Sequence, residues 1–185
     1  MHGQLRAVVD EFERARERLH ALAQAVPDDR WAVRPDPARW SVAECIAHLN
    51  LTSRAFLPLI HDALGEARRL PAAASGRYRR DVIGWLLWKA SGPPVRFRVK
   101  TTAAFVPAGS DPPAALRSEL EALHARQIDC VRDASGLAID RVKIVSPFDA
   151  RVTYNLYSCL TILPRHQHRH AWQAEQVALA LSRRP

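Results

Sequence analysis

The sequence predicts an all-α protein, a four-helix bundle with a long crossover between its second and third helices. Three observations carry that expectation. Four segments repeat apolar residues at a spacing near 3.6, and the second of them opens on a complete capping signature. Between the second and third segments, residues 66–111 are interrupted by prolines and show no sustained period. The chain has 185 residues, enough for one domain with a full core, so 1–185 is read as a single domain. An apolar fraction of 48% against 25% charged residues places it with globular rather than disordered chains.

The first helix is expected over 4–25, with Leu5, Val8, Val9, Phe12, Ala15, Leu19 and Leu22 on one face. Asp10, Arg14, Glu17 and Arg18 lie mainly on the other. Three prolines in "VPDDRWAVRPDPARW" then break it. The second helix spans 41–65. Ser41 and Glu44 form a capping box, and Gly65 stands where a C-cap would. Pro58 should kink this helix or split off its last turns. Its apolar stripe holds Val42, Cys45, Ile46, Leu49, Phe56 and Ile60, with His48 at the edge beside Thr52 and Ala55.

The crossover over 66–111 contains one short helical stretch, "DVIGWLLWKASG", closed by Gly92, and "VRFRVK", which alternates as a short strand would. The third helix spans 112–135. Asp111 or Ser110 caps it, proline occupies its first turn, Leu116, Leu120, Leu123, Ile128 and Val131 recur helically, and Gly136 ends it. "LAIDRVKIVSPFDARVTYN" reads as a loop with some extended character. The fourth helix spans 154–182, and Pro164 inside it should bend it just before the histidines that follow.

Several function classes are excluded at this level. The longest apolar run, 82–88, is well short of the roughly 20 residues a membrane-spanning helix needs. The first twenty residues carry acidic groups by position ten and no apolar core, so no signal peptide is expected. Cys45, Cys130 and Cys159 are odd in number and far apart, which argues against a disulfide framework and for a reducing cytoplasm. Net charge is +8, almost all of it arginine. That balance raises nucleic acid or an anionic substrate as a partner. The arginine groups at 14–18, 77–80, 96–100 and 165–169 fall on several elements and no nucleic-acid motif accompanies them, so solvated helix faces are expected instead.

The chemistry gathers at "RHQHRH", residues 165–170. On a helix, His166 and His170 are four apart and share a face, whereas His168 is turned about 200° from His166. Cys159, Leu163, Gln173 and Val177 project along the stripe of that pair, so the pair faces inward while Arg165, His168 and Arg169 lie toward the rim. Inward-facing imidazoles need partners, which a metal, carboxylates or waters would supply. A catalytic metal usually takes a third protein ligand. His2 sits at a fraying end, His20 at a polar edge, and His61 about 220° around the helix from His48. His124 is plausible by position. His48 stands two turns inside a well-capped helix, where a core ligand would sit, and a boundary histidine bonded to a neighbour remains the other reading. Gln173 could orient a ligand or a bound water. Glu44 could serve as an acid or base, although capping already accounts for it. Cys45 and Cys159 read as core fillers, and the tryptophans as packing.

Two of these stretches resemble the DinB/YfiT-like superfamily of metalloenzymes. "RWSVAECIAHLN" (39–50) is similar to its Trp-Ser-x-x-Glu-x-x-x-His-Leu helix start, and "RHQHRHAWQAEQV" (165–177) to its C-terminal His-x-x-x-His followed by glutamine. The resemblance covers 4–65 and 112–182. It implies His48, His166 and His170 as ligands of a divalent metal in the bundle core, with zinc, nickel and iron all open. It further implies chemistry of the kind found in thiol-dependent S-transferases or isomerases, where a low-molecular-weight thiol is the nucleophile. A small-molecule substrate is expected as the partner, with a homodimer left open. A non-catalytic metal-binding or stress-response module is the alternative.

Overall fold

In the computed structural model, which describes residues 1–72, 76–93, 101–107, 109 and 111–183, most of the chain is helical. The order is α1 (Gly3–Ala25), α2 (Val42–Arg69), α3 (Val82–Ala90), α4 (Pro113–Asp133), β1 (Lys143–Ser146), β2 (Asp149–Asn155) and α5 (Leu156–Ser182). Single 3-10 turns lie at Asp28–Arg30 and Ala103–Phe105. Among the long helices the main contacts run α2–α4, α1–α5, α2–α5 and α1–α4, so each has two principal neighbours.

Local chemistry explains the starts. His2 caps α1, its Nδ1 accepting from the Gln4 amide at 3.2 Å. The expected capping box of α2 is formed: the Glu44 amide donates to Ser41 Oγ at 3.2 Å, and the Ser41 amide to the Glu44 carboxylate at 2.8 Å. The seven apolar residues expected to face inward from α1 are all buried.

The ends depart from expectation. Gly65 does not cap α2, which continues to Arg69. Burial of Ala63, Leu64 and Ala67 carries the helix through the glycine, and Arg68 and Arg69 favour its C-terminal dipole. Pro58 does not split α2 either, because it lies on the solvent face, where the carbonyl it leaves without an amide can be hydrated. Pro164 likewise sits inside an unbroken α5. The cap of α4 is Pro112, with no side-chain bond, rather than Asp111, and Ser110 lies outside the described residues. The helix ends at Asp133, and Gly136, with φ of +84°, takes the left-handed turn that follows. The alternating stretch "VRFRVK" also lies outside the described residues.

The all-α expectation is corrected by one hairpin. β1 and β2 pair antiparallel, Ile144 opposite Tyr154 and Lys143 opposite Asn155, in the stretch read as an extended loop. Ile144 and Tyr154 are both buried, so the hairpin closes an apolar face onto the helices. Asn155 then caps α5, its Oδ1 accepting from the Ser158 amide at 2.8 Å while its Nδ2 donates to the Arg79 and Asp140 carbonyls. Asp81 caps α3 through the Gly84 amide at 2.9 Å and accepts from the Asn155 amide with its other oxygen. One carboxylate thus pins the short helix to the hairpin and to the start of α5.

The core is divided. One apolar cluster runs through Phe12, Phe56, Val131 and Leu160, the other through Leu19, Leu49, Leu120 and Val177. Between them each of α2, α4 and α5 contributes buried polar groups: His48, Asn50 and Ser53, then His124 and Gln127, then Gln167 and His170. A relay within that layer passes from Gln167 Nε2 to Gln127 Oε1 at 2.8 Å and from Gln127 Nε2 to Ser53 Oγ at 3.2 Å.

Two glycine substitutions should act in opposite directions. A Cβ on Gly84 would lie 2.1 Å from Ser158 Oγ, whereas one on Gly65 meets nothing within 4 Å. Gly84→Ala should therefore cost about 1–3 kcal/mol by forcing α3 off α5. Gly65→Ala should stabilise by about 0.5–1 kcal/mol through helix propensity. Urea unfolding followed by circular dichroism measures both.

Candidate metal centre

Two helices meet at the polar layer with three imidazoles between them. The capping box fixes the start of α2 and hence the turn on which His48 sits, while His166 and His170 project from successive turns of α5. Nε2 of His166 lies 3.4 Å from Nε2 of His48 and 3.1 Å from Nε2 of His170. One ligand atom from each of the three lies within 4.8 Å of the others.

The rings are prepared to offer lone pairs. His48 Nδ1 donates to the Phe105 carbonyl at 2.8 Å, which places the ring proton there and leaves Nε2 as the acceptor facing the cluster. Burial pushes the pKa of His48 down against the pull of that carbonyl. It pushes His166 down to about 3, aided by neighbouring His48 and Arg169, and holds His170 well below its ordinary value. All three are therefore neutral near pH 7. Neutral imidazole nitrogens this close repel unless a proton or a cation lies between them. Two nitrogens bound tetrahedrally to one ion at about 2.0–2.1 Å stand about 3.3–3.4 Å apart, so the spacings from His166 to the other two rings are close to those of a shared divalent ion. His170 Nδ1 is buried with no close hydrogen-bond partner among the described residues, and Gln173 is the polar group that acts on that ring from outside the cluster.

Over residues 11–174 the chain matches the family model described as the DinB superfamily. The chain belongs to the DinB superfamily. No curated protein and no solved structure gives a match.

Around the histidines this DinB-superfamily chain builds an aromatic wall. Trp40, from the turn just before the capping serine, stacks on His170 with ring centroids 6.1 Å apart and lies 5.0 Å from His48. Phe148, from the tip of the hairpin, approaches His48 and His166 at 6.5 and 6.2 Å and packs on Phe105 at 4.2 Å. A cavity of about 240 Å³ opens beside His166, lined mainly by apolar groups including Phe56, Leu87, Phe148, Val152 and Leu163. Sequence reasoning assigned Trp40 to packing and had no signal for Phe105 or Phe148, which reach the site only through the crossover and the hairpin.

The remaining sequence candidates fall in different places. Gln173 lies one turn beyond His170 and acts on that ring against the effect of burial. Glu44 is occupied elsewhere: the Arg34 guanidinium and the Ser41 amide both bond its carboxylate, holding its pKa below the usual carboxylate value although burial pushes the other way. Cys45 and Cys159 are buried thiols, with burial pushing Cys45 up to about 12 and Cys159 up as well, so neither is a thiolate. His168 bonds Glu11 at 3.1 Å on α1, away from the triad. His2 caps α1, His20 bonds Gln24 at 2.9 Å, and His61 lies 3.9 Å from Cys130 Sγ. His124 is buried beside Gln167.

The neutral triad has a thermodynamic signature. Each histidine binds a proton near pH 6.5 once unfolded but resists it when folded, so the unfolded state takes up more protons as the pH drops. The metal-free protein should lose stability steadily from pH 6.5 down to about 5, above the range where carboxylates titrate. His166→Phe should flatten that slope. Urea midpoints measured across the range, after exhaustive chelation, read it directly.

Proposed function

We propose that this chain is a metalloenzyme: its four long helices form one bundle, and His48, His166 and His170 hold a divalent metal in the core beside a small-molecule cavity. The observation that carries the reading is the convergence of three neutral Nε2 atoms on one point, with the tautomer of His48 fixed from behind by a backbone carbonyl. Imidazole donors suit zinc, nickel and iron alike, so the donor set does not choose among them.

A divalent ion held there lowers the pKa of a thiol or water bound to it and so supplies a nucleophile at neutral pH. The chain's own groups do the rest. Three histidines leave coordination positions free, since a catalytic site uses fewer protein ligands than a closed structural one. The apolar walls from Phe56, Phe148 and Leu163 exclude water and take an uncharged acceptor of modest size. Gln173 steadies His170 from the following turn. With a low-molecular-weight thiol as the nucleophile, the reaction is an S-transfer or a thiol-assisted isomerisation. No helix among the described residues is long and apolar enough to cross a membrane. We place the protein in the cytoplasm, where such thiols are kept reduced.

Metal analysis of untagged protein expressed with supplemented zinc, nickel and iron should find about one equivalent per chain, falling below about a tenth in His166→Ala and unchanged in His168→Ala. Sub-stoichiometric metal in the unaltered protein overturns the metal centre. Consumption of a small thiol in the presence of an aromatic electrophile, lost on chelation and restored by metal, supports transfer. Full metal content with no thiol consumption and no exchangeable coordinated water identifies a non-catalytic metal module instead.

A further inference from the structure

A second and larger cavity, about 680 Å³, lies on a different face of α5. It is bounded by α1, by residues 77–80, by α3 and by the first half of α5, whereas the triad faces α2. Five arginines line it, Arg14, Arg77, Arg79, Arg80 and Arg165, against the single carboxylate of Glu11. Glu11 is already engaged by Arg14 at 2.8 Å and by His168 at 3.1 Å. Among the described residues no carboxylate pairs with Arg77, Arg79, Arg80 or Arg165.

Two of these guanidiniums are held in place rather than waving in solvent. Arg80 lies 4.3 Å over the Trp88 ring and 5.5 Å over the Tyr157 ring, with its Nε donating to Thr161 Oγ1 at 2.8 Å. Arg165 lies 4.1 Å over the same Trp88 ring. Gly92 provides the slot for it, since a Cβ there would stand 2.2 Å from Arg165 Nη2. Arg165 Nε is buried with no hydrogen-bond partner among the described residues. Burial and the nearby charges of Arg165 and Arg77 make Arg80 a less comfortable cation than usual. Like charges gathered around one ring, partly desolvated and without counter-charge, are unfavourable unless an anion completes them.

We propose that this cavity binds a phosphate-bearing small molecule. Guanidinium forks match phosphate oxygens two at a time, which a lysine cluster would not do. The volume falls within the range of small-ligand pockets, and the half-open cleft between α1, α3 and α5 has room for a compact ligand. The site is independent of the metal centre, being built from other residues of a shared helix.

Titration calorimetry of the full-length protein with inorganic pyrophosphate tests this, with citrate as a polyanion that lacks phosphate. Saturable binding is expected, tighter than for citrate, and persisting in His166→Ala, which separates this site from any metal. Arg80→Gln and Arg77→Gln should each weaken it by about tenfold or more. Arg77 is exposed, so its replacement keeps the test open if Arg80→Gln misfolds by circular dichroism. Arg126→Gln removes the same charge from an exposed position on α4 outside the cavity and should change affinity by less than about twofold. Absence of saturable binding, equal affinity for citrate, an equal loss in Arg126→Gln, or loss of binding in His166→Ala each overturns the proposal.

Discussion

Three neutral imidazoles meeting in a buried layer set the terms for the rest of this structure. Polar rings placed between two apolar clusters are costly unless their nitrogens find partners, and the surroundings answer that demand most fully at His48. The capping box fixes the turn on which His48 sits. The crossover delivers the Phe105 carbonyl to the back of the same ring. The hairpin brings Phe148 across the front, and Trp40 closes the remaining side. Elements that look incidental to a helical protein, a single 3-10 turn and a two-stranded ribbon, are the ones that finish the layer.

The legible parts of the sequence were those governed by local rules. Seven apolar residues of α1 at helical spacing, the Ser41–Glu44 pair and the four-residue gap from His166 to His170 each imply geometry without knowledge of anything distant. His48 became a candidate because its helix could be phased from its own cap. What stayed hidden depends on partners far along the chain. Ile144 and Tyr154 make a hairpin only against each other and the core, so their stretch read as loop. Leu64 and Ala67 carry α2 past Gly65 through burial that local propensity does not contain. Glu44 stood one turn from His48 in the sequence, yet Arg34, ten residues before it, claims its carboxylate.

Charge follows the same division. Read along the chain, the arginines look like solvated faces, and many are: Arg16, Arg54, Arg68, Arg117, Arg132 and Arg151 each pair with a nearby carboxylate at the surface. Those pairs contribute little to stability individually. Arg77, Arg79, Arg80 and Arg165, which pair with no carboxylate among the described residues, gather instead where α1, α3 and α5 converge, and the sequence displays the 77–80 group without showing that Arg165 joins it. Net charge therefore says less about this protein than the place where charge is left unbalanced.

The bond from His48 to residue 105 is made to a main-chain oxygen. Any side chain at position 105 would present that oxygen, so the identity of the residue is free to drift while the imidazole keeps its tautomer. The side chain at 105 packs on Phe148, which borders the smaller cavity. Substitution there can thus reshape what the cavity admits while leaving the donor set untouched. Evolution, or an engineer, could retune acceptor preference and metal affinity as separate traits in a lineage that shares one scaffold.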